Sequence, residues 1–299
     1  KSFAAKEKLF VRANDDISLD IYEGETLGLV GESGCGKSTL GRTLLQLYDQ
    51  TDGRTMYYGK DVDEVAPAYV LDILKSLVER RKEYFNLKEK ADHVKKQYDA
   101  LPDGDEKYSL HAHLVETEKN ARNSFLDIVQ LIGGFFIVDD LTPISDILVK
   151  EHKASVEYEK LKEELNNVRI AYDGQRSALK DKGKNEAQID VATQNALEKI
   201  HKKEDTIHLK EKDLKVIRDD IYKLVKKYEC NPDFTKYEVY RDKGINLAKL
   251  TEEESRKLRR DLQLIFQDPY SSLNPRMTVG QIISEGLLAH KYFDKNDKK

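Results

Sequence analysis

Apolar and polar residues alternate in different ways along the chain. In residues 1–60 and again in residues 244–299, apolar residues form short runs separated by turns that contain glycine, asparagine or proline. In residues 61–243, apolar residues instead recur at intervals of three and four among many lysines and glutamates, which is typical of exposed amphipathic helices. The pattern therefore predicts an α/β fold that an all-α segment interrupts.

The short apolar runs predict the strands of the α/β part. Each run has the length and the flanking turns of a strand rather than of a helix. The predicted strands cover residues 17–21, 26–30, 55–58 and 262–266. The run TLGLV at residues 26–30 is continuous, which favours a buried strand.

The all-α segment predicts two pairs of helices. The first pair covers about residues 70–100 and 107–132, with a Leu-Pro-Asp-Gly break at residues 101–104. The second pair carries a heptad-like seam, and Lys182-Gly183-Lys184 between its helices predicts the tip of an antiparallel coiled-coil hairpin. The seam positions are Tyr158, Leu161, Leu165, Val168, Tyr172, Gln175 and Leu179, then Leu197, Ile200, Glu204, Ile207, Glu211 and Leu214, and after a one-residue shift Ile217, Ile221, Leu224 and Tyr228.

The composition narrows the class of protein. Charged residues make up 35% of the 299 residues and the hydrophobic set 39%, which is polar for one compact domain. The formal net charge of −4 gives no general attraction to nucleic acid, so we expect no nucleic-acid partner. Cys35 and Cys230 are too few for a disulfide framework or a four-ligand zinc site, and they fit a reducing cytoplasm. The longest strongly apolar run, residues 131–138, is too short to cross a bilayer. The missing initiator methionine and the lysine-rich end suggest a piece of a longer protein.

A glycine-rich phosphate-binding motif follows the second predicted strand. Residues 29–40 read LVGESGCGKSTL and fit G-x-x-x-x-G-K-[ST]. Its glycines permit turns that bring backbone N–H groups to phosphate oxygens, Lys37 can reach the outer phosphates, and the Ser38 hydroxyl can ligate Mg²⁺. Leucines at helical spacing in residues 40–47 predict a helix whose N-terminus points at the anion. The residues expected to bind the nucleoside triphosphate are Gly31, Ser33, Gly34, Cys35, Gly36, Lys37, Ser38 and Thr39.

A glutamine after the last predicted strand is a second candidate. Gln267 follows the apolar run 262–266 directly. Its amide can accept from water and donate to phosphate, so it could reach both Mg²⁺ and an attacking water. The residues alone do not distinguish this role from that of an ordinary solvated glutamine.

Two stretches resemble the ATP-binding subunits of oligopeptide and dipeptide ABC importers. They are VRANDDISLDIYEGETLGLVGESGCGKSTLGRTLLQLYDQTDG and LRRDLQLIFQDPYSSLNPRMTVGQII. The resemblance covers residues 11–60 and 244–290, about a third of the chain. It implies an α/β P-loop NTPase fold of the ABC type that binds and hydrolyses ATP with Mg²⁺.

The resemblance also implies roles for single residues. Lys37 and Gln267 would be the catalytic residues, with Gln267 as the Q-loop glutamine that senses Mg²⁺ and the γ-phosphate. Ser38 and Gln267 would converge on the metal. Residues 268–277 would lie near the groove where a coupling helix of the permease docks. Phe3 is the first candidate for the aromatic residue that stacks on adenine, and Phe10 is the second.

The partners and the location follow from the same resemblance. The implied partners are transmembrane permease subunits, a second ATP-binding subunit (a sister chain or a second copy) and, indirectly, a peptide-binding protein. The implied location is peripheral, at the cytoplasmic face of the cell membrane. The cargo, whether oligopeptide, dipeptide or nickel-type, lies outside what the sequence indicates.

The chain departs from the family in its middle. In family members, the segments that resemble residues 58–61 and residues 250–253 are separated by only a few dozen residues. We therefore expect residues 1–60 and 244–299 to form the N-terminal part of an ABC ATP-binding domain, and residues 61–243 to be a helical insertion whose two ends lie close together.

The motifs that follow the Q-loop in this family are missing from the sequence. They are an LSGGQ-type signature, a Walker B glutamate and a switch histidine. We therefore expect an incomplete domain that binds nucleotide weakly by itself and hydrolyses ATP negligibly. The run FFIVDD at residues 135–140 has the form of a Walker B strand but precedes Gln267. Asp139 and Asp140 are therefore either metal-site residues or, the preferred interpretation, caps at a helix boundary. His111 and His113 are expected to be surface residues.

Two other classes remain open. A chromosome-maintenance or DNA-repair ATPase also joins a P-loop to a coiled coil, but in that class the coil follows the Q-loop. An interaction or regulatory protein could instead use the helical arm to dock a regulator, a partner ATPase or a permease.

Overall fold

The computed structural model of the chain describes residues 13–268 and 272–289. In chain order the elements are α1 (Lys37–Leu44), β1 (Met56–Tyr57), α2 (Val62–Val65), α3 (Ala68–Lys75), α4 (Leu77–Ala100), α5 (Asp105–Ile132), a 3₁₀ helix (Gly133–Ile137), α6 (Thr142–Asp181), α7 (Glu186–Tyr228), α8 (Pro232–Glu238), β2 (Ile245–Asn246), a second 3₁₀ helix (Leu247–Lys249), α9 (Glu252–Leu258) and α10 (Val279–Ala289). The chain divides into two compact units. We call Lys1–Thr55 with Asn246–Lys299 the loop unit, and Met56–Ile245 the helical unit.

The first helix pair of the helical unit follows the predicted boundaries. α4 ends at Ala100 and α5 begins at Asp105, so the break at residues 101–104 is confirmed. The predicted first helix is divided by a short irregularity at Ser76, where α3 ends and α4 begins. The hydroxyl of Ser76 donates to the carbonyl oxygen of Asp72 at 2.5 Å, which is a local alternative to the helical ladder.

The second pair consists of two long helices that run antiparallel. α6 ends at Asp181, Gly183 has the left-handed φ of 74°, and α7 begins at Glu186, so the turn lies where the sequence predicts it. The coiled-coil character of the pair stays a prediction. Asn185 caps α7 by accepting a hydrogen bond from the N–H of Gln188 at 2.9 Å. Ion pairs along the length of the two helices join Glu151 to Arg218, Glu157 to Lys210, Glu164 to Lys203, Arg169 to Glu204, and Arg176 to both Glu186 and Asp190.

The predicted seam positions between these helices are buried or half-buried except at three. Leu165, Ile200, Leu214 and Ile217 are among the buried core residues. Three seam predictions are wrong, because the side chains of Gln175, Leu197 and Glu211 are exposed. Two of these are polar residues, for which an exposed position avoids desolvation.

An aromatic cluster forms the core near the base of the helical unit. Phe135 and Phe234 are buried, and their ring centroids lie 5.5 Å apart in an edge-on arrangement. Gly134 allows this close approach, because a Cβ at this position would lie 2.6 Å from the ring of Phe234. The glycine is therefore required by packing.

The strand predictions are confirmed at one place and wrong at three. β1 lies within the predicted run 55–58, and it pairs with β2 in a two-stranded sheet. Residues 17–21, 26–30 and 262–266 form no strand, and their side chains include Val30 and Ile265, which are 98% and 96% exposed. A strand needs a neighbour with which to exchange backbone hydrogen bonds, and the described residues supply none for these runs. The described part is therefore mostly helical rather than an α/β sheet.

The loop unit has a small apolar centre of its own. Leu247 and Leu258 are buried there, and the guanidinium of Arg259 donates to the carbonyl oxygen of Leu45 at 3.4 Å. α9 begins with a capping box, in which Thr251 and Glu254 exchange hydrogen bonds between side chain and backbone. Among the described residues, none of the helices combines the length and the hydropathy that a bilayer crossing requires.

Candidate functional site

The glycine-rich motif forms a loop that ends at the N-terminus of α1. Gly34 and Gly36 have φ values of 81° and 95°, which lie in the left-handed region where a side chain is disfavoured. Gly36 occupies the N-cap position, and Lys37 is the first residue of the helix. The predicted helix after the motif is therefore confirmed, and its first backbone N–H groups are available to an anion.

The ammonium group of Lys37 lies against the first residues of the loop. Its Nζ donates to the carbonyl oxygens of Gly31 and Glu32 at 2.7 and 2.6 Å, and lies 3.3 Å from Sγ of Cys35. The loop thus holds a positive charge at its centre by short contacts with neutral groups. Because the hydrogen bond from Lys37 stabilises the thiolate, the pKa of Cys35 is lower than that of an ordinary cysteine.

Two glycines of the motif are also needed for close packing. A Cβ on Gly31 would lie 2.8 Å from Sγ of Cys35, and a Cβ on Gly36 would collide with the carbonyl oxygen of Ala13. Asn14 approaches the same Cβ position of Gly36 at 2.9 Å. The sequence does not indicate that Ala13 and Asn14 contact Gly36, because only tertiary packing brings them together.

The remaining predicted site residues are open to solvent in most cases. Ser33 and Ser38 are exposed, and Thr39 is half-buried in the first turn of α1. Gln267 is exposed in a bend after residues 263–266, and within the described residues no hydrogen bond joins it to the loop. The convergence of Ser38 and Gln267 on one metal stays a prediction. Phe3 and Phe10 lie outside the described residues.

The FFIVDD run is not a strand. Its aromatic residues belong to the 3₁₀ helix, and Asp140 Oδ1 accepts from the N–H of Thr142 at 2.9 Å next to the start of α6. This backbone hydrogen bond lowers the pKa of Asp140. Arg81 donates to the carbonyl oxygens of Phe136, Val138 and Asp139. The run is therefore a helix boundary, and Asp140 contacts the first N–H of α6, whereas the N-cap position is occupied by Leu141 without a side-chain cap.

Histidines, cysteines and carboxylates do not assemble a metal site in the described part of the chain, where no group of three such side chains is close enough to hold an ion. His111 instead packs against Tyr98 with their ring centroids 5.7 Å apart. A magnesium ion at the loop would depend on the hydroxyl of Ser38 and on amide or phosphate oxygens, which are the hard oxygen ligands that Mg²⁺ prefers.

The chain is similar over a short stretch to several known proteins. The oligopeptide transport ATP-binding protein OppF of Bacillus subtilis (strain 168) is 64% identical over 52 residues, which are 17% of each chain. The dipeptide transport ATP-binding protein DppF of Lactococcus lactis subsp. cremoris (strain MG1363) is 60% identical over 53 residues, again 17% of each chain. OppF of Escherichia coli (strain K12) is 49% identical over 57 residues, 19% of this chain and 17% of the relative. The chain thus matches about a sixth of the length of these curated relatives. No solved structure matches the chain.

The longest similarity is to a protein family. Residues 14–243 match the family model described as ABC transporter, and this match includes the whole glycine-rich loop, whereas Gln267 lies beyond it. The ATP-binding domain of that family has the P-loop NTPase fold, in which a loop of the observed kind precedes a helix N-terminus. Because the match extends over more than half of the chain, the protein belongs to the ABC transporter family.

Proposed function

We propose that the chain is an ATP-binding and ATP-hydrolysing subunit that energises an ABC importer of oligopeptides or dipeptides. The observation that carries the proposal is the loop between Gly31 and Lys37, whose left-handed glycines and helix N-terminus suit a bound phosphate group. Family membership supports ATP as the nucleotide. The names of the relatives, which are oligopeptide and dipeptide transport ATP-binding proteins, support peptides as the cargo.

The residues present fit a nucleoside triphosphate. A Cβ on Gly34 would meet nothing within 4 Å, so the backbone there is open to a phosphate group. The contacts of Lys37 with two carbonyl oxygens can be exchanged for stronger, charge-assisted contacts with phosphate oxygens. We therefore assign the binding of the phosphates to Gly31, Ser33, Gly34, Cys35, Gly36, Lys37, Ser38 and Thr39.

Lys37, Ser38 and Gln267 have distinct parts in the proposed reaction. Lys37 and the loop N–H groups orient the outer phosphates and meet the negative charge that grows on the transferred phosphoryl group. Ser38 presents a hydroxyl as a ligand of Mg²⁺, and Gln267 would approach from the end of the 263–266 segment to the same ion. Bound Mg²⁺ would neutralise part of the phosphate charge. Phe3, with Phe10 as the alternative, would stack on adenine.

The proposed organisation keeps the boundaries drawn from the sequence. Residues 1–60 and 244–299 would form the N-terminal part of the ATP-binding domain, and residues 61–243 a coiled-coil insertion. The partners would be permease subunits, a second ATP-binding subunit and, indirectly, a peptide-binding protein, at the cytoplasmic face of the membrane. Since the signature loop, the Walker B glutamate and the switch histidine are missing from this sequence, we infer weak nucleotide binding and negligible ATP hydrolysis by this chain alone.

Competition binding with a fluorescent ATP analogue tests the proposal. We expect unlabelled ATP with Mg²⁺ to displace the analogue from the chain, and Lys37→Ala to weaken ATP binding at least about tenfold, because a charge-assisted contact is lost. Lys257→Ala on α9 is the matched control, since it removes an exposed lysine of the same unit. Absence of ATP binding, or equal binding by Lys37→Ala and wild type, would contradict the assignment. Family-like ATPase rates from this chain that Lys37→Ala abolishes would contradict the inferred inactivity.

A docking role of the helical unit is the second candidate. The observation that favours it is the length of α6, whose 40 residues extend about 60 Å. Replacing residues 61–243 by a short linker in the complete transporter is sterically reasonable, because the N–H of Val62 donates to the carbonyl oxygen of Lys243 at 3.3 Å. Loss of peptide uptake or assembly would support docking, and unchanged uptake would exclude an essential docking role. A salt-sensitive mobility shift with DNA would instead support the DNA-maintenance class.

A further inference from the structure

A group of polar side chains is buried near the two ends of the helical unit, and the proposed nucleotide chemistry does not use it. Asp63 of α2 and His152 and Ser155 of α6 are 6%, 6% and 3% exposed. The Asp63 carboxylate accepts a hydrogen bond from the Ser155 hydroxyl at 2.8 Å and lies 3.0 Å from Nδ1 of His152. A buried carboxylate is tolerated only where such partners surround it, so the three side chains depend on one another.

Two cations connect this group to other segments. Nζ of Lys243, two residues before β2, lies 3.6 Å from carboxylate oxygens of both Asp61 and Asp63. Arg218 of α7 donates to Oγ of Ser155 at 3.2 Å. The polar contacts therefore join four parts of the unit: the segment around Lys243 that leads to β2, and the helices α2, α6 and α7.

Ser155 links Asp63 to Arg218. Its hydroxyl donates its single proton to Asp63 and accepts from Arg218, so the oxygen serves as donor and acceptor at once. His152 lies three residues earlier on the same face of α6, and both side chains are therefore directed at α2. Arg218 is held in turn by Glu151, whose carboxylate lies 2.9 Å from Nε.

The segment that enters the helical unit and the segment that leaves it are also joined to each other. The N–H of Val62 donates to the carbonyl oxygen of Lys243 at 3.3 Å, and the hydroxyl of Tyr58 donates to the Asp242 carboxylate at 2.6 Å. β1 and β2 pair beside these contacts. The buried polar group thus connects both long helices to the place where the chain enters and leaves the unit.

We propose that Asp63, His152, Ser155, Arg218 and Lys243 form a latch. It holds the α6–α7 pair, at the level of Ser155 and Arg218, to the segment that enters the helical unit (residues 58–63) and to the segment that leaves it (residues 242–245), so that these parts move as one body. We call these five residues the root latch. Apolar packing is non-directional and tolerates small shifts of one helix along another, whereas hydrogen bonds to a buried carboxylate are satisfied in one arrangement only. A displacement of the helix pair is therefore transmitted to β1 and β2.

Hydrogen–deuterium exchange of the whole chain, followed by mass spectrometry, tests the root latch. The variants are Asp63→Asn and Ser155→Ala, and the control is Asp213→Asn, which makes the same chemical change at an exposed position of α7. We expect both latch variants to accelerate exchange about tenfold or more in α2, in residues 240–245 and in residues 150–158. We expect α4, the tip at residues 176–190 and the whole control variant to keep wild-type exchange rates.

The two variants keep the test decisive. If Asp63→Asn unfolds the helical unit altogether, the milder Ser155→Ala decides, since it removes only the shared hydroxyl. Wild-type exchange of α2 and residues 240–245 in Ser155→Ala would overturn the proposal. Uniform acceleration in all peptides of the unit in that variant would overturn it too, because it would show a general loss of stability instead of the release of one joint.

Discussion

The hydroxyl of Tyr58 donates a hydrogen bond of 2.6 Å to the carboxylate of Asp242, although 184 residues separate the two in sequence. The contact lies beside the pairing of β1 with β2. It shows that the helical unit begins and ends at the same place.

Gly134→Ala is expected to destabilise the helical unit by about 2 kcal/mol or more, because the added methyl group overlaps a buried ring. The overlap is with Phe234, whose ring atoms lie 2.6 Å from the Cβ position. Gly174→Ala in α6 is the control, since a Cβ there meets nothing within 4 Å. That control should stabilise the helix by about 0.5–1 kcal/mol. Urea denaturation followed by circular dichroism measures both changes, and equal effects of the two substitutions would refute the packing argument.

The helical unit is expected to lose stability in acid through Asp63. Burial by itself would raise the pKa of Asp63, but hydrogen bonds from His152 and Ser155 and the charge of Lys243 outweigh burial and hold the pKa below the ordinary 3.8. A carboxylate with a depressed pKa stabilises the fold above its unfolded-state pKa, and this stabilisation is lost as the pH falls through the lower, folded-state value. The loss should therefore begin below about pH 4.

Asp63→Asn supplies the comparison for the acid prediction. Removing one partner of the buried group should destabilise the unit by about 3–5 kcal/mol at neutral pH. The variant should also have a shallower dependence of unfolding free energy on pH below 4, because the titrating carboxylate is gone. Urea unfolding at pH 7, 5, 4 and 3 measures both effects. A wild-type acid slope in the variant would show that other carboxylates cause the acid sensitivity.

Phe135→Ala is expected to destabilise the unit by about 3–5 kcal/mol, because it leaves a cavity in the aromatic cluster. Phe135 is 0% exposed and contacts the rings of both Phe234 and Tyr228. Phe85→Ala is the matched control, since Phe85 is 52% exposed and its substitution should cost much less. The same denaturation measurement applies, and a smaller loss for Phe135 than for Phe85 would contradict the described core.

Cys35 is expected to react with iodoacetamide faster than Cys230 near pH 7.5. Both thiols are exposed, but the hydrogen bond from Lys37 lowers the pKa of Cys35 and so raises its thiolate fraction. Lys37→Met should slow the labelling of Cys35 and leave that of Cys230 unchanged. Peptide mass spectrometry over a time course measures both rates in one sample. Equal rates in the wild type would show that the ammonium group does not face the thiol.

The sequence predicts the helices of this protein better than its strands, and the reason is local chemistry. The break before Asp105 and the turn at Gly183 are encoded by neighbouring proline and glycine residues, and both lie where the sequence predicts them. The runs at residues 17–21, 26–30 and 262–266 have the composition of strands, but a strand depends on a partner that its own residues do not specify. Local pattern therefore gives a helix its boundaries and leaves a strand undetermined.

The sequence likewise predicts only some of the contacts at the candidate site. The loop around Gly34 and Gly36 is encoded by a contiguous motif, and its turn geometry and following helix are found as expected. The approach of Ala13 to Gly36, and the pairing of Asp63 with His152 across 89 residues, leave no contiguous pattern. Such contacts depend on tertiary packing, which periodicity in a single sequence does not report.

The hydrogen bond between Val62 and Lys243 bears on how much the length of the segment between them can vary. When the two ends of a folded segment are close together, the residues on either side of it have to span only a short distance, whatever the length of the segment. Loop-closure entropy grows only with the logarithm of length, so even a tenfold longer flexible connection would cost about 2 kcal/mol more, and a self-folding one less. Under the proposed organisation, replacing the helical unit by a reporter or a shorter bridge is compatible with the short distance between Val62 and Lys243.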